Sequence, residues 1–290
     1  MDASMMARLG RLDPSRHDNA WAVVLDRCRP APGLMMGPLP RRSPDLARFR
    51  NPRRRNQVIG SCVGQSGAAM AETTIRTPSP FDEASQPNPA IDLSPLWVYA
   101  VARKYSRDHG VPISGEGAIV SHALLAVQEL GFVKWEAWPG TSENEQSFRD
   151  GVIPQAARDA VKLMPIQDVR RLTDPDQILE YLAGGYSVWV GMPWRGGTST
   201  RSDGYFEWRG RSVGGHAVEL LGYDLDADRV VVGNSWGDWG VNPGCIGWTR
   251  WSAMSRDLTG TALDRGESEA CVISEVDGWA PKVRSWLEVL

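Results

Sequence analysis

Gly60-Ser61-Cys62-Val63-Gly64-Gln65-Ser66-Gly67-Ala68-Ala69-Met70-Ala71-Glu72 is the stretch on which the reading of this chain turns. Small residues dominate after the cysteine, which permits a buried helix. Cys62 opens that helix, so its sulfur belongs at a helix N-terminus, where unpaired backbone N–H groups and the helix dipole stabilise an anion. The thiolate is the nucleophilic form of cysteine, and a lowered pKa makes it available near neutral pH. Alone, such a cysteine reads equally as an inert core residue, the commoner state of free thiols.

Further along, Ser94 to Tyr105 reads as a helix with Ser94 as N-cap and Pro95 at the first helical position. Gly117 to Leu130 repeats apolar residues at helical spacing. Pro78 to Pro89 between them is a proline-rich surface loop. The second half changes character. Residues 187–192, 216–221 and 229–234 read as strands separated by Gly/Asp turns, and Ile246 to Trp251 and Ala270 to Glu275 as two more. Helices followed by a mostly antiparallel sheet imply an α+β protein with a helical lobe, about residues 62–150, and a β lobe after it.

Two residues in the second half complete a chemical constellation. His216 lies in Gly214-Gly215-His216-Ala217-Val218, where glycines allow close backbone approach and the following strand would hold the ring. Asn234, in Gly233-Asn234-Ser235-Trp236-Gly237, stands 18 residues further on, the length of a hairpin. An amide oxygen there would hold one imidazole nitrogen and leave the other facing the thiol. Trp236 could cover the pair. His17 sits in a polar segment, His109 in a turn, and His122 on a helix without an obvious partner; none forms a metal-type pair.

Asn56-Gln57-Val58-Ile59-Gly60-Ser61-Cys62 resembles the nucleophile segment of papain-like cysteine peptidases. Gly215 to Val218 through Gly222-Tyr223-Asp224 looks like their histidine strand, and Gly233 to Gly240 like their asparagine segment. The segments occur in family order, with His216 154 residues after Cys62, against roughly 130–150 in that family. A weaker likeness spans most of residues 39–275. The resemblance implies a two-lobed papain-like fold with the active-site cleft between the helical and β lobes. It implies that Cys62 attacks the scissile carbonyl, His216 exchanges the proton and Asn234 orients His216. Gln57 is similar to the family glutamine that, with the Cys62 backbone N–H, forms the oxyanion hole.

The sequence departs from the family in three places. The usual Cys-Gly-Ser-Cys-Trp reads Ile59-Gly60-Ser61-Cys62-Val63, which lacks the disulfide cysteine and the tryptophan and fits a non-secreted, microbial or phage-type branch. The loop from Gln57 to Cys62 is one residue short, leaving Asn56 as a rival oxyanion donor. The segment after Asn234 is also one residue short. Residues 1–38 form an N-terminal extension unlike the family's long helical propeptide, and 39–290 the peptidase domain. The extension is read as wrapping the catalytic lobes. An inhibitory role, with Arg53 to Arg55 as cleavage point, is one reading of it, and a solvated loop is the plainer reading of that run. Residues 29–56, rich in Pro and Arg, favour extended chain.

Composition is that of an ordinary globular protein, with net charge -3 and a pI near 5.9, which gives no pull toward nucleic acid or anionic membrane. No run approaches the roughly 18 apolar residues of a transmembrane helix, and charges among residues 1–16 argue against a secretory signal. A cytoplasmic or assembly-associated setting is expected. Four cysteines are too few for a disulfide scaffold; a Cys245–Cys271 bond can be drawn, but buried free thiols are expected. The predicted activity is hydrolysis of peptide or isopeptide bonds in a peptide or protein substrate, through a thioester and without a metal or organic cofactor. The alternatives are an acyl transferase on the same triad and a structural component of a larger protein assembly, such as a phage particle.

Overall fold

The computed structural model describes residues 9–16, 20–34, 37–53, 55–78, 80, 82, 84–89, 91–148, 152–160, 166–197, 199–241 and 244–276. His17 and Arg54 lie outside them. Helix α1 (Ala20–Arg27) belongs to the N-terminal segment, and α2 (Cys62–Arg76), α3 (Pro95–Asp108) and α4 (Val120–Leu130) build the helical lobe. The shorter α5 (Ser142–Ser147) and α6 (Gln155–Asp159) follow. The β lobe holds β1 (Ile166–Arg171), α7 (Pro175–Ala183), β2 (Val188–Pro193), β3 (Gly215–Asp224), β4 (Arg229–Gly233), β5 (Ile246–Thr249) and β6 (Glu269–Val276). These strands form one six-stranded sheet in the order β1-β6-β2-β3-β4-β5, with every ladder antiparallel. The α+β, two-lobed expectation holds.

Local chemistry explains the boundaries. Ser94 Oγ accepts from the Trp97 N–H and Pro95 opens α3, as the sequence predicts. Gly131, at φ 72°, ends α4, a conformation that costs a Cβ-bearing residue. Asp174 caps α7 through the Gln177 N–H, again with proline at the start. The sequence reading missed α1, α7 and β1. In α1 only Ala20 and Val24 are buried, too few to set up a helical apolar period.

Helix α2 is the centre of the molecule, and all 15 of its residues are buried. One core cluster joins α2, α3 and α4 to Trp189, Ala217 and Cys271 of the sheet, and a second lies beneath α7 on the sheet's other face. Small residues make this packing possible. A Cβ on Gly64 would stand 2.2 Å from the Pro95 carbonyl oxygen, and one on Gly67 2.6 Å from the Trp189 ring. The Trp189 indole N–H donates to Ser66 Oγ at 2.7 Å, tying β2 to α2 across the lobes.

Three buried arginines fasten the segment before α2. Arg11 pairs with Glu269 at 3.1 Å, Arg50 with Glu219 at 3.1 Å and Arg55 with Glu72 at 2.7 Å. At Arg55 this corrects the reading of a solvated loop. Arg55 is 4 % exposed and also donates to Gln65, while Arg53 pairs with Asp92 and lies over Trp135. His122 is likewise not partnerless, because its ring nitrogens meet Ser106 Oγ and the Ala20 carbonyl. All four cysteines are free and buried, and no Cys245–Cys271 bond forms.

Gly64→Ala is expected to destabilise the protein by about 2 kcal/mol in urea unfolding, although alanine is the better helix former by about 1 kcal/mol. Equal or greater stability would mean that α2 and α3 do not meet as described.

Candidate active site

Cys62 is the first residue of α2, His216 the second of β3, and Asn234 follows the last residue of β4. The β3–β4 hairpin brings the last two together, with His216 Nε2 and Asn234 Oδ1 2.9 Å apart. The Ser235 backbone N–H also meets that amide oxygen, at 2.8 Å. A backbone N–H can only donate, so Asn234 presents its oxygen and the imidazole carries its proton on Nε2. Arg50 donates to the Asn234 carbonyl at 2.8 Å, which holds the asparagine from its backbone.

His216 Nδ1 is buried and makes no hydrogen bond. The Trp236 ring stacks on the imidazole with centroids 4.5 Å apart, and Trp194 meets it edge-on at 4.9 Å. The sequence anticipated the cover by Trp236; Trp194 joins it. The Cys62 thiol touches the backbone of Ala217, the residue after His216. Burial pushes this thiol up to about 11, against the pull of backbone hydrogen bonds from Ala217, Gly10 and Val63. Cys62 and His216 are both 0 % exposed, so the site is closed, and the lowered thiol pKa expected from the helix N-terminus is overturned here by desolvation.

The loop before the nucleophile is fixed from both lobes. The Gln57 N–H donates to the Ser235 carbonyl at 3.0 Å, and Asn56 bridges Trp236, joining the cysteine and asparagine segments. Gln57 is fully buried, accepts from Ser235 Oγ and donates through Nε2 to the Ile59 carbonyl at 3.1 Å. It is therefore no solvated loop residue. Glu145 was not foreseen. Its carboxylate accepts from the Val58 N–H at 2.5 Å, Ser61 Oγ and Gln65 Nε2 at 2.7 Å, with the Ile59 N–H at 3.5 Å. Glu116 takes the Gly60 N–H at 2.6 Å. Two carboxylates thus hold the loop in a chain that lacks the family's disulfide cysteine there.

Residues 10–12 of the chain lie between Ala118 of the helical lobe and Gly215 of the β lobe. Arg11 N–H donates to the Gly215 carbonyl at 3.1 Å, beside His216. Gly10 O accepts from Ala118 N–H at 2.8 Å and Leu12 N–H donates to Ala118 O at 2.8 Å. Gly10 presses on the nucleophile loop so closely that a Cβ there would stand 1.9 Å from the Gly60 oxygen. Only the absence of a side chain at residue 10 allows this seat.

The closed site has a measurable consequence. Burial pushes the His216 imidazole down to about 4, with the Asn234 hydrogen bond pulling the other way. An unfolded histidine titrates near 6.5, so below that pH the unfolded chain takes a proton that the folded chain refuses. The stability from neutral His216 is complete above about pH 6.5 and lost as pH falls toward 4. Between roughly pH 7.5 and pH 4.5 the parent chain should therefore lose on the order of 2 kcal/mol more than His216→Gln in urea titrations. Parallel losses in the two proteins would contradict the burial of a neutral ring.

No protein-family profile matches this sequence, and no curated protein aligns with it. Solved structures do match. Xylellain, a cysteine protease from Xylella fastidiosa, superposes with a TM-score of 0.62 at 20% identity, covering 94% of this chain and 98% of that one. A procathepsin B from Trypanosoma congolense gives 0.60 at 14% identity, over 92% and 87%. A digestive procathepsin from Tenebrio molitor larval midgut gives 0.60 at 17%, over 94% and 80%. With a helical lobe and an antiparallel β lobe, the chain has the fold of the papain-like cysteine proteases.

Proposed function

We propose that this chain is a cysteine peptidase that hydrolyses peptide or isopeptide bonds through a thioester, with Cys62, His216 and Asn234 as its triad. The observation that carries the proposal is the His216–Asn234 hydrogen bond. It commits Nε2 as a donor and leaves the Nδ1 lone pair to act as base at the lobe junction where Cys62 begins α2. In the first step Nδ1 takes the thiol proton as Sγ bonds to the scissile carbonyl carbon. The carbonyl electron pair moves onto oxygen, where the Cys62 N–H and the Gln57 side-chain amide receive the charge. Collapse breaks the carbon–nitrogen bond, the amine leaves with the proton from the imidazolium, and a thioester remains. Water, deprotonated by Nδ1, then attacks the thioester, and the acid leaves as the proton returns to sulfur.

The same proposal assigns residues 9–12 as a self-blocking strand. Both reactive groups are inaccessible beneath it, and two of the structurally similar proteins are procathepsins. Opening the cleft would hydrate Cys62, remove the desolvation that raises its pKa, and let the α2 N-terminus favour the thiolate.

The test is labelling of Cys62 by an epoxide-type thiol inhibitor, with the modified peptide mapped. Gly10→Val cannot seat against Gly60 and is expected to raise the labelling rate at least about tenfold, equivalent to about 1.4 kcal/mol off the closed state. Adding His216→Ala to Gly10→Val should lower it by about a hundredfold or more. Labelling unchanged by Gly10→Val would remove the block. Labelling independent of His216 would remove the catalytic pair.

A further inference from the structure

Helix α2 starts without the cap that its sequence offers. Ser61 stands at the N-cap position, from which a serine hydroxyl ordinarily accepts from the N–H of the second or third helical residue. Here its side chain makes no such bond, and its backbone, at φ -91° and ψ 13°, lies outside the extended region from which a serine caps. The hydroxyl donates to Glu145 Oε1. The Val63 N–H, one of the two that a cap would take, meets the Cys62 sulfur. Glu145 is built to hold this arrangement. It sits in α5 and is 1 % exposed. Its Oε2 takes the Val58 N–H at 2.5 Å, and its Oε1 takes Gln65 Nε2 at 2.7 Å beside the Ser61 hydroxyl. Gln65 Oε1 accepts from Arg55 Nη1 at 3.3 Å, which fixes the end of the amide that faces the carboxylate.

We infer that Glu145 is a positioning residue of this site: by holding the Ser61 hydroxyl and the loop behind it out of capping geometry, it reserves the first N–H groups of α2 for an anion on the Cys62 sulfur. The inference rests on reading Cys62 as the nucleophile, and names what keeps the helix start open to it. An N–H that already serves a cap has less to give a thiolate, and the field of a helix terminus fades within its first turn, so a cap on Ser61 would be felt in full at Cys62. Glu145→Gln releases that cap. The Val58 N–H can only donate, so the amide oxygen turns to it and the amide NH2 faces Ser61, whose hydroxyl loses its acceptor. Glu145→Ala releases it by a second route, since nothing is left for Ser61 to donate to.

The test is a double-mutant cycle in the full chain carrying Gly10→Val. The quantity read is the midpoint of the acid limb in the pH profile for modification of Cys62 by iodoacetamide, followed by mass mapping; a slow reaction gives this midpoint as well as a fast one. Replacing Glu145 also removes a negative charge, which by itself favours the thiolate, so the comparison is of Ser61→Ala with and without Glu145. With Glu145 in place, Ser61→Ala should leave the midpoint within about 0.3 pH unit, because there is no cap to lose. With Glu145→Gln or Glu145→Ala, adding Ser61→Ala should lower the midpoint by at least about one pH unit, a tenfold gain in thiolate. A loop merely loosened by the loss of Glu145 gains nothing from losing the serine hydroxyl as well. Equal changes on Ser61→Ala in the two backgrounds would overturn the assignment. Adding His216→Ala separates this inference from the peptidase reading. A Ser61 effect confined to the Glu145 variants, on a thiol whose labelling ignores His216, would support the role of Glu145 and sink the peptidase. Labelling that depends on His216, with equal Ser61 effects in both backgrounds, would keep the peptidase and sink the role of Glu145.

Discussion

Everything in this protein is arranged around a helix buried along its whole length. Helix α2 has no solvent face, so it must be lined with small residues and its end groups must be satisfied by protein. Those two demands build the site. The small residues let α3 and Trp189 close on it from opposite lobes. The carboxylates of Glu145 and Glu116 satisfy the backbone of the incoming loop, and the helix start carries Cys62. Moving α2 by an ångström would break contacts to both lobes together, because interiors packed at this density transmit displacement.

Charge burial does for the N-terminal segment what regular structure does elsewhere. Apart from α1 and two short 3-10 turns (Pro14–Arg16 and Leu46–Phe49), the described residues among 9–56 run without helix or sheet ladder, yet Arg11, Arg50 and Arg55 each insert into the interior against a carboxylate. Buried pairs of this kind contribute little net stability compared with apolar packing, but losing one partner is expensive. They therefore fix where the segment lies more than they strengthen the fold. Arg50 also reaches the Asn234 carbonyl and Arg55 reaches Gln65 beside Glu145, so the same pins that hold the segment also hold the asparagine segment and the loop before Cys62. Arg11 differs in kind. It pins the segment whose Gly10 meets the Cys62 thiol.

The parts of this arrangement legible in the sequence are those whose signals are local. A cysteine opening a run of small residues, a histidine behind paired glycines at a strand start, and an asparagine one hairpin later are each visible within ten residues; Cys62 does open a helix, and Asn234 does meet His216 through the hairpin. Ser94-Pro95 marked a helix start with equal clarity. The carboxylates that organise the site were not legible. Glu145 acts on Ser61 from 84 residues away and Glu116 on Gly60 from 56, while Glu269 meets Arg11 across 258. A lone Glu in a short helix or at a strand edge looks solvated until the fold closes over it. Arg53 to Arg55 misled for a related reason: the carboxylates that Arg53 and Arg55 meet, Asp92 and Glu72, lie 39 and 17 residues further along the chain.

The account stands or falls on whether Cys62 carries the acyl group. The most direct measurement is rapid acid quench of the full chain bearing Gly10→Val during reaction with an activated peptidyl ester, followed by mass mapping. The account predicts an acyl adduct on the Cys62 peptide that is labile to hydroxylamine and absent from Cys62→Ala. An adduct on another residue, or ester hydrolysis that continues undiminished in Cys62→Ala, would contradict it.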